Sequence, residues 1–164
     1  MLSVELLQQF EDRIAKKQKR KPAEVIVGNF PKGLETIISM YGRDNHQIIM
    51  NSAVMPSVND VELVATILHE GRHAYQWIQI NNPDKSKESK ELLNRWKDEF
   101  LNYEQELANQ NDPLYLNLAI EVDAVAYAAL NIYNMTKLQL SIDPKMKELV
   151  LQRQEEIKKT EDIF

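Results

Sequence analysis

From Asn59 to about Lys159 the apolar residues recur at intervals of three and four, and this long helical pattern constrains the fold more than any other feature. Little sequence is left over for a sheet. Four helices are expected, over about 59–80, 86–109, 113–135 and 144–159. Asn59 followed by Glu62 resembles a capping box and opens the first. Val61, Val64, Ala65 and Leu68 form one apolar stripe on it, and Ile67, Ala74 and Ile78 add another. A helix apolar on several sides belongs at the centre of a fold. The second helix carries Leu93, Trp96, Phe100, Tyr103 and Leu107 at helical spacing. Asp112-Pro113 and Asp143-Pro144 read as N-cap and first helical position of the last two. The third is expected to bury Leu118, Val122, Val125, Ala129 and Tyr133.

Before this region, residues 3–19 form an amphipathic helix with Leu6, Leu7, Phe10 and Ile14 on one face, and Pro22 ends the pattern. Residues 23–30 read as a strand and Pro31 to Gly33 as a turn. Residues 34–41 and 46–52 flank Gly42-Arg43-Asp44-Asn45, a loop of hairpin length and composition. The expected fold class is therefore α+β: an N-terminal helix, a small, mainly antiparallel sheet, then a helical bundle. At 164 residues the whole chain, 1–164, is expected to close one core as a single domain.

Composition narrows the function classes. No apolar run approaches the roughly 20 residues that span a bilayer, so no membrane partner is expected. The net charge of −5 gives no reason to expect nucleic acid. The basic cluster Lys16 to Lys21 reads as a solvated helix end. Cysteine is absent, which removes disulfides and thiolate metal ligands and suits a reducing compartment. The N-terminal charges follow the apolar residues instead of preceding them, so no export signal is read and a cytoplasmic location is expected. Delivery within a longer toxin or precursor is compatible with this reading.

Two of the three histidines lie four residues apart in the first helix of the bundle, in His69-Glu70-Gly71-Arg72-His73. Helical residues four apart share a face, with Cβ atoms about 5–6 Å apart, so both imidazoles can be directed at one metal ion. Glu70 is rotated by about 100° from His69 and is placed to reach a metal-activated water instead of the metal. Coincidence supplies this arrangement in about one chain of this composition in a few hundred. Gly71 costs up to about 1 kcal/mol in a helix interior, so a close approach or tight helix packing is expected there.

A catalytic zinc takes three protein ligands and keeps one position open. With no histidine or cysteine downstream, the third ligand should be a carboxylate. Glu121 is the best candidate, because it interrupts the apolar segment 119–130 and an unpaired charge there would be costly. Ala124 and Ala128 on its face let that helix approach the histidines closely. The competing reading is an ion pair of Glu121 with an arginine such as Arg72. Asp123 faces elsewhere and could orient a ligand imidazole; Glu104 and Glu106 lie in a more polar context.

The motif His-Glu-Gly-Arg-His, followed by Glu121 in the segment 121–128, resembles the gluzincin metallopeptidases. In these a His-Glu-x-x-His helix is completed by a glutamate from a later helix. The resemblance covers about a third of the chain and implies Zn2+ on His69, His73 and Glu121, with Glu70 as general base. It implies a minimal zincin-like peptidase domain acting on a peptide or protein substrate, similar to the compact peptidase domains of bacterial toxins. Family members bind extended peptide along an edge strand, and His46 to Ser52 is the matching segment here. Candidates for the oxyanion donor are His46, Tyr103, Tyr127, Tyr133 and Arg72.

Two other functions are open to the same residues. One is another zinc-dependent amide hydrolase. The other is a non-catalytic interaction domain with a structural zinc, which would need no general base and would close the fourth position with a protein ligand.

Overall fold

Helix α1 (Val4–Lys17) opens at Ser3, whose hydroxyl accepts from the Leu6 N–H, and it buries Leu7, Glu11, Ile14 and Ala15. The computed structural model of the chain describes residues 2–106, 113–161 and 163–164, with the backbone alone for 103–106 and 113–114. Three strands follow α1: β1 (Glu24–Gly28), β2 (Ser39–Gly42) and β3 (Gln47–Asn51). The helices are α2 (Asp60–Asn81), α3 (Lys90–Glu106), a single turn α4 (Pro113–Leu116), α5 (Ala119–Thr136) and α6 (Lys147–Thr160). The fold is α+β, as the apolar periodicities predict.

The sheet is mixed, not mainly antiparallel. Its order is β1-β3-β2, with β2 and β3 an antiparallel hairpin and β1 parallel to β3. The connection 29–38 carries the chain past the place β3 will occupy, so β2 enters from the far side and β3 fills the gap. The strand expected over 34–41 forms only from Ser39. Its first half is turned, with the Leu34 N–H donating to the Pro31 carbonyl and the Ile37 N–H to the Leu34 carbonyl. The buried Asn51 holds that turn in place, its amide donating to the carbonyls of Glu35 and Ile37 at 3.0 and 2.8 Å. Strand β3 is therefore the centre of the sheet, and the expectation that residues 46–52 offer an edge is corrected. The edge beside α2 is β2.

Asn59 caps α2 by accepting from the Glu62 N–H at 3.0 Å. The helix runs through the middle of the molecule, packed by α5, α1, α3 and the sheet. Its Leu63, Ile67 and Leu68 are fully buried among Leu7, Ile14, Ile48 and Met50. A second apolar cluster of Tyr75, Leu93, Trp96, Phe100 and Ile120 joins α2, α3 and α5. The single helix expected over 113–135 is broken at 117–118. The cause lies in α3: the Glu99 carboxylate accepts from the N–H groups of Ala119 and Ile120 at 3.0 and 2.9 Å and starts a new helix there. Asp112, expected as a cap, lies outside the described residues. Tyr133, expected in the core, is 43% exposed. The last helix begins at Lys147, because Asp143 forms a turn with Lys145 and Met146 first. Among the described residues no helix is long and apolar enough to cross a membrane.

Candidate metal centre

One turn of α2 and the second residue pair of α5 meet beside β2. His69 and His73 project from the same face of α2, and their Nε2 atoms lie 3.1 Å apart. Glu121 comes from the first turn of α5, with Oε2 at 3.3 Å from His69 Nε2 and Oε1 at 3.2 Å from His73 Nε2. The small Ala124 and Ala128, both buried and four residues apart, share a face of α5, the helix packed against α2. His73 and Glu121 are buried, while His69 is partly open to the cleft.

These distances test whether the residues fit a metal ion. Nitrogen and oxygen ligands about 2.0–2.1 Å from zinc at tetrahedral angles stand about 3.3 Å from one another. The two Nε2 atoms, 3.1 Å apart, match that edge, and each has its own Glu121 oxygen at 3.3 or 3.2 Å. One ligand atom from each residue lies within 4.8 Å of the others, compact enough for one ion after small side-chain adjustment. Chemistry agrees with geometry. With both imidazoles neutral, a carboxylate and two ring nitrogens crowd together in a largely buried place, and a shared cation would offset the cost. When no metal is present a proton serves: burial opposes charge on His73, but the Glu121 carboxylate outweighs it and pushes the imidazole up to about 9. Glu121 is in turn held well below the usual carboxylate range, since the two imidazoles overcome its own burial.

Glu70 stands outside this triad. It is 6% exposed, and its Oε1 accepts a 2.6 Å hydrogen bond from the Ser39 hydroxyl on β2. Its Oε2 has no hydrogen-bond partner among the described residues. A cleft of about 510 Å³ opens over the group, lined by His69, Glu70, Glu121, Thr66, Tyr115 and Val125 among others. Thr36 to Ser39 form its wall on the side of the sheet.

The two unspecified motif positions face away from the cleft. A Cβ at Gly71 would stand 2.7 Å from Glu11 Oε2 and 2.9 Å from Arg20 Nη2, so packing against α1 requires glycine there. Glu11 and Arg20 are a buried pair at 2.6 Å, which corrects part of the reading of Lys16 to Lys21 as solvated. Arg72 is fully buried and donates to Asp123 at 2.7 and 3.0 Å and to Glu161 at 2.6 and 2.7 Å. It stacks on Tyr75 and Tyr127, 4.1 and 4.8 Å from their centroids. Arg72 is therefore neither the partner of Glu121 nor placed for an oxyanion.

The other oxyanion candidates fare no better. His46 is held at the hairpin, its Nδ1 2.8 Å from the Tyr41 hydroxyl and its Nε2 3.1 Å from the Lys21 carbonyl. Tyr127 lies under Arg72, and burial pushes its hydroxyl up to about 12. Tyr133 lines a different cavity, beside α6. The side chains of Tyr103, Glu104 and Glu106 lie outside the described residues. Sequence reasoning missed Ser39, Gln76 and Tyr115. Only Tyr115, two residues into the short helix opened by Pro113, carries a local signal, and that signal is equally one of core packing. Comparison with protein-family models, with curated proteins and with solved structures finds no match for this chain.

Proposed function

We propose that the chain is a zinc-dependent peptidase of gluzincin type, with Zn2+ held by His69, His73 and Glu121 and Glu70 as general base. One observation carries the reading. Beside a largely buried His-His-Glu set compact enough for one ion lies Glu70, with one carboxylate oxygen anchored and the other buried with no hydrogen-bond partner among the described residues, and His69, Glu70 and Glu121 line one cleft. A structural zinc would have no use for the second feature.

Zinc bound there would acidify water and polarise an amide carbonyl. The remaining work belongs to side chains of this chain. Ser39 fixes the Glu70 carboxylate, which leaves Oε2 to accept the proton of an attacking water and to return it to the departing amine. The β2 edge and the residues preceding it, which wall the cleft, provide backbone groups along which an extended peptide could lie.

The test is hydrolysis of a disordered protein by wild type and by Glu70→Gln, with zinc measured on both samples. Zinc should remain near one per chain in each, and the rate should fall about 10²–10⁴-fold in the variant. Cleavage by Glu70→Gln at the wild-type rate, with zinc retained, would remove Glu70 from the mechanism. A folded wild type that holds no zinc would end the peptidase reading.

A further inference from the structure

Gln76 is fully buried one turn beyond His73, in a place where an apolar residue would fill the same volume. Its amide has three contacts. Nε2 lies 2.9 Å from the Ile120 carbonyl and 2.7 Å from Asp123 Oδ2, and Oε1 lies 2.9 Å from His73 Nδ1. Both partners of the first pair can only accept, so the orientation of the amide is settled: nitrogen towards α5, oxygen towards the histidine. Nδ1 must then carry a hydrogen, and the lone pair of neutral His73 falls on Nε2, the atom that faces His69 and Glu121.

Asp123 cannot release Gln76 from this duty. Its Oδ1 accepts from Arg72 Nη2 at 3.0 Å and Arg153 Nε at 2.7 Å; its Oδ2 accepts from Arg72 Nε at 2.7 Å as well as from Gln76. Four donors saturate the carboxylate and fix its plane. Arg72 is held from its other side by Glu161, and Arg153 by Glu88 at 2.9 Å. A buried ionic framework spanning α2, α5 and α6 thus ends in one neutral amide, and that amide ends on an imidazole.

We propose that Gln76 is a positioning residue that locks His73 as the Nδ1–H tautomer and turns its Nε2 lone pair to the metal, transmitting to the site the rigidity of the Asp123–Arg72–Arg153 framework. This rests on the zinc reading above. The relay extends the orientation of a ligand imidazole by a second partner, which is worth about 10–100-fold in metal affinity.

The experiment is 15N NMR of the His73 ring together with zinc affinity by chelator competition, on wild type, Gln76→Met and Gln79→Met. Wild type should carry the ring proton on Nδ1, both with zinc and without it at alkaline pH. Gln76→Met should bind zinc about 10–100-fold more weakly and show mixed tautomers when zinc-free. Gln79→Met, one turn on and away from His73, should behave as wild type. Equal zinc affinity in Gln76→Met and wild type overturns the proposal. So does a wild-type ring protonated on Nε2 in zinc-free protein, a result that needs no variant to fold. A wild type that binds no zinc yet holds the Nδ1–H tautomer, lost in Gln76→Met, supports the Gln76 assignment and overturns the zinc reading alone.

Discussion

Helix α2 carries polar groups on two sides, and the two sides are built to opposite rules. Behind the helix, Arg72, Asp123, Arg153, Glu88 and Glu161 form a framework in which two cations meet three anions, and Asp123 is saturated by four donors. In front, His69, His73 and Glu121 bring two imidazoles and a carboxylate together without an arginine or lysine among them, and Glu70 keeps an oxygen with no hydrogen-bond partner among the described residues. Both sides are largely buried and both are charged, so burial and charge alone do not mark a functional site. Saturation does. In the rear framework Asp123 has no acceptor position to spare, whereas on the proposed reading the front offers a place for a cation and an acceptor for a proton.

If that contrast is right, breaking the rear should destroy stability and breaking the front should spare it. The largest loss of stability is expected for Arg72→Met, which leaves Asp123 and Glu161 buried without their shared cation. The cost should be about 3–5 kcal/mol, read from chemical denaturation in excess chelator. A loss under about 1 kcal/mol would mean that the framework is not the structural element it resembles. Glu121→Gln should do the reverse. Zinc affinity should fall by about 100-fold or more, because a charged ligand is removed, while stability in chelator at about pH 10, above the His73 titration, changes by about 1 kcal/mol or less. Tight zinc binding by this variant would assign the third ligand elsewhere.

The smallest effect sharpens the comparison through pH. The His73 imidazole is raised from 6.5 to about 9 in the metal-free fold, so its stabilising contribution is complete below pH 6.5 and is lost as pH rises through about 9. Zinc-free protein should therefore lose stability over that window. Zinc binding has the opposite sign, because the metal must displace the proton: affinity should rise by up to about tenfold per pH unit until about pH 9. A zinc affinity independent of pH across the window would show that His73 is not a ligand.

The readable parts of this molecule are those whose cause is local. The spacing of His69, Glu70 and His73 needs only a helix, and Asn59 supplies its start. Glu121 could be singled out because a carboxylate in an apolar segment is anomalous by itself. The sheet order could not be read, since the alternation in β1 is the same whether its neighbour is β2 or β3. The start of α5 depends on Glu99, twenty residues away from Ala119 and docked against it only once α3 has packed. Ser39 and Gln76 are ordinary polar residues in sequence, and their roles exist only where β2 meets α2 and α5 meets α2. In sequence Arg72 offers itself as a partner for Glu121; its actual partners include Glu161, which caps the C-terminus of α6.

The contact at Gly71 bears on how such a chain can vary. A pattern written His-Glu-x-x-His treats the third and fourth positions as free. Here any side chain at position 71 begins with a carbon 2.7 Å from Glu11 Oε2, so the whole α1 docking, including the Glu11 bond to the Ala23 N–H, would have to shift to admit it. Position 72 is tied by four hydrogen bonds to two other helices' acids. In this fold positions 71 and 72 are held by the α1 contact and by hydrogen bonds to Asp123 and Glu161, so neither can change freely unless α1 or α6 changes in concert.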